Sequence, residues 1–438
     1  MEGGDGRESA SRSRIVSRAR RVDAPLTAAL GAFDGPRVAW LPPEGPAVAG
    51  RGAAATVRAE GPDRFETVEA RSRALLGDVD ATDGPGPRLF GGFAFTHDHD
   101  GAAPWTGFPD AYFLLPRVQL ARDDGTTWLR VTEVGPDASA DAVEQTLSDA
   151  AETVADATPA DDAPPGVTAT ERTPSRDEWR RQVRAAVERI RDGDLRKVVL
   201  ASALAATLDS PFELGAAVSR MARHYENCYR FAVDPDAGAA FFGATPERLV
   251  RKRGDTVETE ALAGSIARGE APAEDEALAD RLRGSEKDQH EHRLVVKAIS
   301  EQLTPVADDV RVGRQSIRAL DTVQHLHTPI TADVAPDRHV LDVVRRLHPT
   351  PAVGGLPPDA ALRTIREAES FDRGWYAAPV GWIGPDGDGA FAVGIRSGVA
   401  EGREATLFAG NGIVADSDPD EEWEEVQLKF RPMLDHLR

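Results

Sequence analysis

The sequence predicts an α/β chain of the α+β kind: two stacked, mostly antiparallel β-sheets with helices packed outside. Three observations carry this. Short apolar strand candidates are separated by Gly, Pro and Asp turns. Helical segments with caps and apolar stripes are interleaved among them. The strand candidates fall into hairpin-like pairs more often than into the strand–helix–strand units of a doubly wound parallel sheet.

Residues 1–20 are expected to be a flexible tail: RESASRSRIVSRARR is basic but has no apolar signal core, so it reads as a frayed segment running into the first strand. Residues 21–170 form an N-terminal β-rich half, with strand candidates RVAWLP, RLFGGFAFTHD, AYFLLPRVQLAR and TTWLRVTEV, then a helix in ASADAVEQTLSDAAETVAD. The Pro- and Asp-rich TPADDAPPGVTATERTP is the best internal boundary, leaving 173–438 as the second region. There Ser175 and Glu178 make a capping box, Trp179, Val183, Val187 and Ile190 a stripe, and Gly193 a stop. RKVVLASALAATL is a buried strand. Helix 212–223, strands near 229–233, 239–243 and 248–251, and helices 285–303 and 339–347 follow. Strands near 379–384, 389–396 and 405–409 precede a terminal helix.

A net charge of −21 argues against nucleic acid or an anionic membrane as partner. No apolar run approaches the roughly 20 residues of a membrane span. Cys228 is the only cysteine, so there is no intrachain disulfide or thiolate metal cluster, which fits a reducing cytoplasm. Only five of the 52 basic residues are lysines, against 73 acidic residues, a balance typical of surfaces that work in high salt.

Glu422, Glu425 and Lys429 fall within an arc of roughly 60° on the terminal helix, beside an apolar stripe of Trp423, Val426, Phe430 and Leu434. Two carboxylates and an ammonium together suit a hard divalent cation beside an anionic ligand; a solvated acidic face is the commoner meaning. Asp288 and Glu291 form a second acidic pair, on a helix whose Leu294, Val295 and Ile299 face a core. Oxygen-only ligands favour Mg²⁺ over zinc, with His290 and His292 as surface or supporting groups. Lys197, inside an apolar strand, either snorkels or is buried with a lowered pKa, the state of a general base. Glu247 follows a strand and a Thr-Pro turn. The Gly-rich LAGSIARG, AGNGIV and LHPTPAVGGLP could offer backbone N–H groups to a ligand or be tight turns. His325, Tyr376 and Arg396 are similarly open, Arg396 suiting either a bidentate carboxylate contact or a salt bridge.

Taken in order, KVVLAS, GATPERL, EALAGSIARG, SEKDQHEH, VQHLHTPI, LHPTPAVGGLP, RGWYAAPVGW, FAVGIRS and AGNGIVADSDPDEEWEE with the following LK resemble the chorismate-utilising enzymes: anthranilate, aminodeoxychorismate, salicylate and isochorismate synthases. The match runs from about residue 173 to the end, with a looser extension through LFGGFAF and FPDAYFLLPR. The resemblance implies one large α/β domain and one Mg²⁺. Within the family the chain is most similar to isochorismate synthases. Lys197 stands where amine-transferring relatives have glutamine, and Ala352 where lyase-type relatives carry threonine.

On that resemblance, Lys197, uncharged, activates water for attack on C2 of chorismate, and Glu247, protonated, donates to the departing C4 hydroxyl. Glu291 and Glu425 hold Mg²⁺ with Asp288 and Glu422 close by. Tyr376, Arg396, Gly410, Gly412 and Lys429 hold substrate carboxylates, and Gly264, Ser265 and His325 line the ring pocket. Alternatives are a salicylate synthase, an amine-transferring enzyme or a non-catalytic chorismate-binding module. Expected further are a cytoplasmic monomer and a place in menaquinone synthesis. Asn411 is unusual between its glycines, Ser265 stands where threonine is common, and Asp288 replaces a frequent glutamate.

Overall fold

The computed structural model describes residues 14–82, 84–157, 163–236, 238–319 and 323–438. Among them the chain forms twenty-one strands and ten helices. The first part runs β1 (Ile15–Arg21), α1 (Ala28–Ala32), β2 (Arg37–Leu41), β3 (Ala47–Ala59), α2 (Arg64–Leu76), β4 (Val79–Ala81), β5 (Leu89–Phe93), β6 (Ala111–Asp123), β7 (Thr126–Val134) and α3 (Ala140–Ala155). Next come β8 (Val167–Thr173), α4 (Arg176–Arg191), β9 (Lys197–Leu208), α5 (Leu214–His224), β10 (Tyr229–Asp234), β11 (Ala240–Thr245), β12 (Arg248–Arg253), β13 (Thr256–Ala267), α6 (Pro272–Gly284) and α7 (Glu286–Leu303). The last are β14 (Asp309–Val312), β15 (Ser316–Ala319), β16 (Val323–Asp333), α8 (Val340–Leu347), β17 (Gly355–Leu356), α9 (Pro358–Ala368), β18 (Pro379–Ile383), β19 (Gly389–Val393), β20 (Ser397–Glu401), β21 (Glu404–Ile413) and α10 (Pro419–Leu437).

Hydrogen bonds join these strands into one network. Its hinge is the long antiparallel pair β3–β6, in register from Ala47↔Arg122 to Ala59↔Ala111. One arm leaves β3 through β2, β10, β11, β20 and β21 to β9, which β8 and β17 flank. The other leaves β6 through β5, β18, β19, β12 and β13 to β16, which β14 and β15 pair. Among the described residues only β1–β4 pairs parallel. The expected antiparallel architecture is therefore present, with its two sheets sharing the β3–β6 edge.

One boundary differs from the sequence reading. β1 begins at Ile15, inside the expected tail, because Ile15 and Val16 are fully buried and pair with β7; residues 1–13 of that tail lie outside the described residues. The Pro-rich connector, whose residues 158–162 also lie outside them, does not separate independent units. β2 pairs with β10 and β5 with β18, so both regions share one network and one core.

Two helices position the acidic residues. In α7 Val295, Ile299 and Leu303 are buried against the sheet, while Leu294 is only half-buried. The Ser285 hydroxyl caps this helix by accepting from the Asp288 N–H. In α10 Val426, Phe430 and Leu434 are buried, contributing roughly 1.5–3 kcal/mol each. Trp423 is half-buried, edge-on to Trp179 of α4, and Arg172 lies over its ring. In α4 Ser175 caps the helix by accepting from the Glu178 N–H, one half of the expected capping box, and all four stripe residues are buried.

Candidate active site

A cavity of about 310 Å³ opens between the ends of the two arms. β9, β21 and the turn after β11 line one side; the β13–β16 pair, α7 and α10 line the other. The fifteen residues proposed for catalysis, metal or substrate all border it: Lys197, Glu247, Gly264, Ser265, Asp288, Glu291, His325, Ala352, Tyr376, Arg396, Gly410, Gly412, Glu422, Glu425 and Lys429.

Lys197 starts β9 and is buried, its side chain 7 % exposed. Its Nζ donates to Glu291 Oε1 at 2.7 Å. Burial pushes the Glu291 carboxyl up, but the charge and hydrogen bond of Lys197 outweigh it and hold Glu291 below its ordinary value. The resemblance implies an uncharged amine; the structure gives it an ionic partner from α7.

AGNGIV, read from the sequence as a turn, is the end of β21 and pairs with β9 from Gly410↔Ala201 to Ile413↔Val198. Its glycines are there for space. A Cβ on Gly412 would lie 2.6 Å from Lys197 Cε, and one on Gly410 3.1 Å from the Tyr376 hydroxyl. The missing side chains make room for the lysine and the phenol. LAGS is likewise a bulge inside β13, where the register shifts between Ala263 and Ser265. Gly264 takes φ +72° there, and a Cβ would press on Asp288 at 3.0 Å.

Glu247 sits between β11 and β12, its backbone held by Thr245 Oγ1 and by the Val393 N–H. The side chain is buried. Burial first, and the nearby Glu260 carboxylate second, push its carboxyl up to about 7, against the pull of Lys197. Glu260 is kept ionised, at about 2, because His327, Arg318 and Arg248 outweigh its burial. Sequence reading missed Glu260; its only signal was a carboxylate at an alternate position of an apolar strand.

Lys429 donates to the Gly410 carbonyl at 3.0 Å and pairs with Glu425 at 2.9 Å. Glu422 accepts from Ser417 Oγ at 2.7 Å and from Asn411 Nδ2 at 3.0 Å. Burial and then, against the Ser417 bond, the charge of Glu425 raise its carboxyl. Arg396, between β19 and β20, has φ +48°, a left-handed backbone uncommon for a side-chain-bearing residue and typical of functional sites. His325 Nδ1 bonds Ser265 Oγ at 2.8 Å, and burial with nearby Arg396 lowers its imidazole to about 3, leaving it neutral. Tyr376 is buried and stacked on Phe408, and burial raises its phenol. Beneath it the buried pair Arg373–Glu369 holds the Val199 and Val353 carbonyls and the Ala201 N–H. His292 is buried on Thr328 and His290 is exposed, so neither faces the cavity.

Four carboxylates on two helices, with oxygen the only donor type and a like-charged pair among them, fit a hard divalent cation. The tightest acidic group among the described residues is elsewhere: ligand atoms of His99, Asp100 and Asp372 lie within 4.8 Å of one another. Both ring nitrogens of His99 are engaged there, Nδ1 with Asp372 at 2.6 Å and Nε2 with the Phe108 carbonyl at 3.0 Å. Both partners accept, so the ring keeps no lone pair for a metal.

The family described as chorismate binding enzyme matches residues 6–438. The isochorismate synthase MenF of Bacillus subtilis is 38% identical over 357 residues, covering 80% of this chain and 75% of its own length. The salicylate biosynthesis isochorismate synthase of Pseudomonas aeruginosa is 35% identical over 446 residues, covering 97% and 93%. The solved structure of MenF, the menaquinone-specific isochorismate synthase of Escherichia coli, superimposes with a TM-score of 0.83 at 27% identity, covering 97% of this chain and 95% of that one. The chain therefore belongs to the chorismate-binding enzymes, and stands close to the isochorismate synthases among them.

Proposed function

We propose that this protein is an isochorismate synthase, an isomerase that adds a hydroxyl from water at C2 of chorismate and removes the one at C4. The observation that carries the reading is one cavity holding both Lys197 and Glu247, with the Glu247 carboxyl pushed up to about 7. A carboxyl so tuned carries a proton near neutral pH and can act as an acid.

Water bonds to C2 as Lys197 takes its proton. The ring double bonds shift, the C4–O bond breaks, and Glu247 gives its proton to the departing hydroxyl, which leaves as water. One water enters and one leaves, so the product is an isomer. To act as base, Lys197 has to release Glu291, 2.7 Å away. Arg396, Lys429, Tyr376 and the strand at Gly410 and Gly412 take the substrate carboxylates, and Gly264, Ser265 and His325 border its ring. Glu291 and Glu425, with Asp288 and Glu422 beside them, would hold Mg²⁺, which when bound neutralises a substrate carboxylate. A dianion entering a chain of net charge −21 needs this local positive charge.

Ala352 leaves space at the cavity wall and supports an enzyme that stops at isochorismate. The likeness to a menaquinone-specific enzyme favours menaquinone synthesis as the route served. The second reading, beside an enzyme that stops at isochorismate, is a salicylate synthase that goes on to eliminate pyruvate. Chromatography of products after incubation with chorismate and Mg²⁺ decides between them. Isochorismate alone supports the proposal; salicylate with pyruvate supports the second.

A further inference from the structure

We propose that Asn411 is a positioning residue for the cation site: its side-chain amide fixes the Glu422 carboxylate and thereby sets the affinity for Mg²⁺. The inference rests on the assignment of Glu422 to that site and goes beyond it.

Asn411 lies in β21 between Gly410 and Gly412, which border the cavity. Side chains alternate along a strand, so Asn411 turns away from the cavity, toward the start of α10. It is 1 % exposed. Its Nδ2 donates to the Glu422 carbonyl at 2.8 Å and to Glu422 Oε2 at 3.0 Å. Both partners only accept, so the amide has one possible orientation. Ser417 Oγ donates to the other oxygen, Oε1, at 2.7 Å. Each carboxylate oxygen thus holds one neutral donor and keeps a lone pair.

The choice of donors matters. Glu291 and Glu425 are held by lysines, whose charge opposes a cation. Neutral donors on Glu422 fix its geometry without cancelling its charge. The arrangement also has a cost: Asn411 Oδ1 is buried with no hydrogen-bond partner. An unpartnered acceptor destabilises a fold, so packing alone does not account for an amide here. Orienting Glu422 does.

The test is calorimetric titration of Mg²⁺ into the full chain without chorismate, together with thermal melting. Asn411→Ala is expected to weaken Mg²⁺ binding about tenfold, the range seen for partners of metal ligands, without lowering the melting temperature. Ser417→Ala, which leaves β21 intact, is expected to weaken it similarly. The double variant should lose less than the product of the two, since both act on one carboxylate. An Mg²⁺ affinity within about twofold of the native chain in Asn411→Ala, with or without a lower melting temperature, overturns the inference. Failure of the unaltered chain to bind Mg²⁺ overturns the metal assignment itself, and the inference with it.

Discussion

Glu247 takes its acid strength from its surroundings. Its carboxyl titrates at about 7 in the fold and at 4.5 in the open chain. Between those values the folded state binds the extra proton, so stability falls as pH rises through that window, by roughly 3 kcal/mol in all. Glu247→Gln removes the titration. Its melting temperature should match the native chain near pH 4 and exceed it at pH 8, while its isomerase rate collapses. A pH series of thermal melts checks this; equal pH slopes for the two proteins would contradict it. Lys197, in an apolar strand, and Glu247, after Thr-Pro, stand out against their neighbours, but local sequence left their roles open and only the resemblance to the family proposed them. The Lys197–Glu291 bond was not legible there, because it joins residues 94 apart that only the fold brings together.

At the scale of elements, β21 carries the clearest lesson. Gly-rich AGNGIV reads as a turn by composition, yet it is a paired strand whose glycines yield space to Lys197 and Tyr376. Gly412→Ala should therefore push the flexible end of Lys197 aside and leave the strand paired. We expect kcat/KM to fall roughly 100-fold with little change in melting temperature, measured by steady-state kinetics and circular dichroism. The segments around His99 and Asp372 give a second prediction. Burial disfavours the His99 charge, but Asp372 outweighs it and raises the imidazole; Asp372 is correspondingly lowered against its own burial. The pair stabilises between the open-chain values of aspartate and histidine, about 3.9 and 6.5. It is lost as pH falls through the lowered Asp372 value or rises through the raised His99 value. Asp372→Asn should cost about 2 kcal/mol at pH 6 and much less at pH 9, read from denaturant unfolding at each pH. Elements missed from sequence share a cause. β3 is rich in Ala and Gly, and it is a strand because β6 pairs along its length and Pro116 sits over Gly50. α2 has Arg64 and Ser72 among its buried residues, which blurred its apolar stripe.

For the molecule as a whole, the antiparallel class followed from hairpin-like spacing, whereas the shared β3–β6 edge depends on pairings far apart in sequence and could not be read locally. No helix among the described residues is long and apolar enough to cross a membrane. A net charge of −21 makes the compact state repel itself, and added salt screens that repulsion. The melting temperature should rise between about 0.1 and 1 M KCl, the range over which the screening length shortens from about 10 to 3 Å; scanning calorimetry would show it. The central claim is that an amine and a protonated carboxyl in one cavity exchange a hydroxyl on chorismate. Its most direct measurement is the fate of oxygen when purified protein, Mg²⁺ and chorismate are incubated in ¹⁸O-labelled water. The account predicts isochorismate with one labelled oxygen at C2; unlabelled isochorismate, or no isochorismate at all, would contradict it.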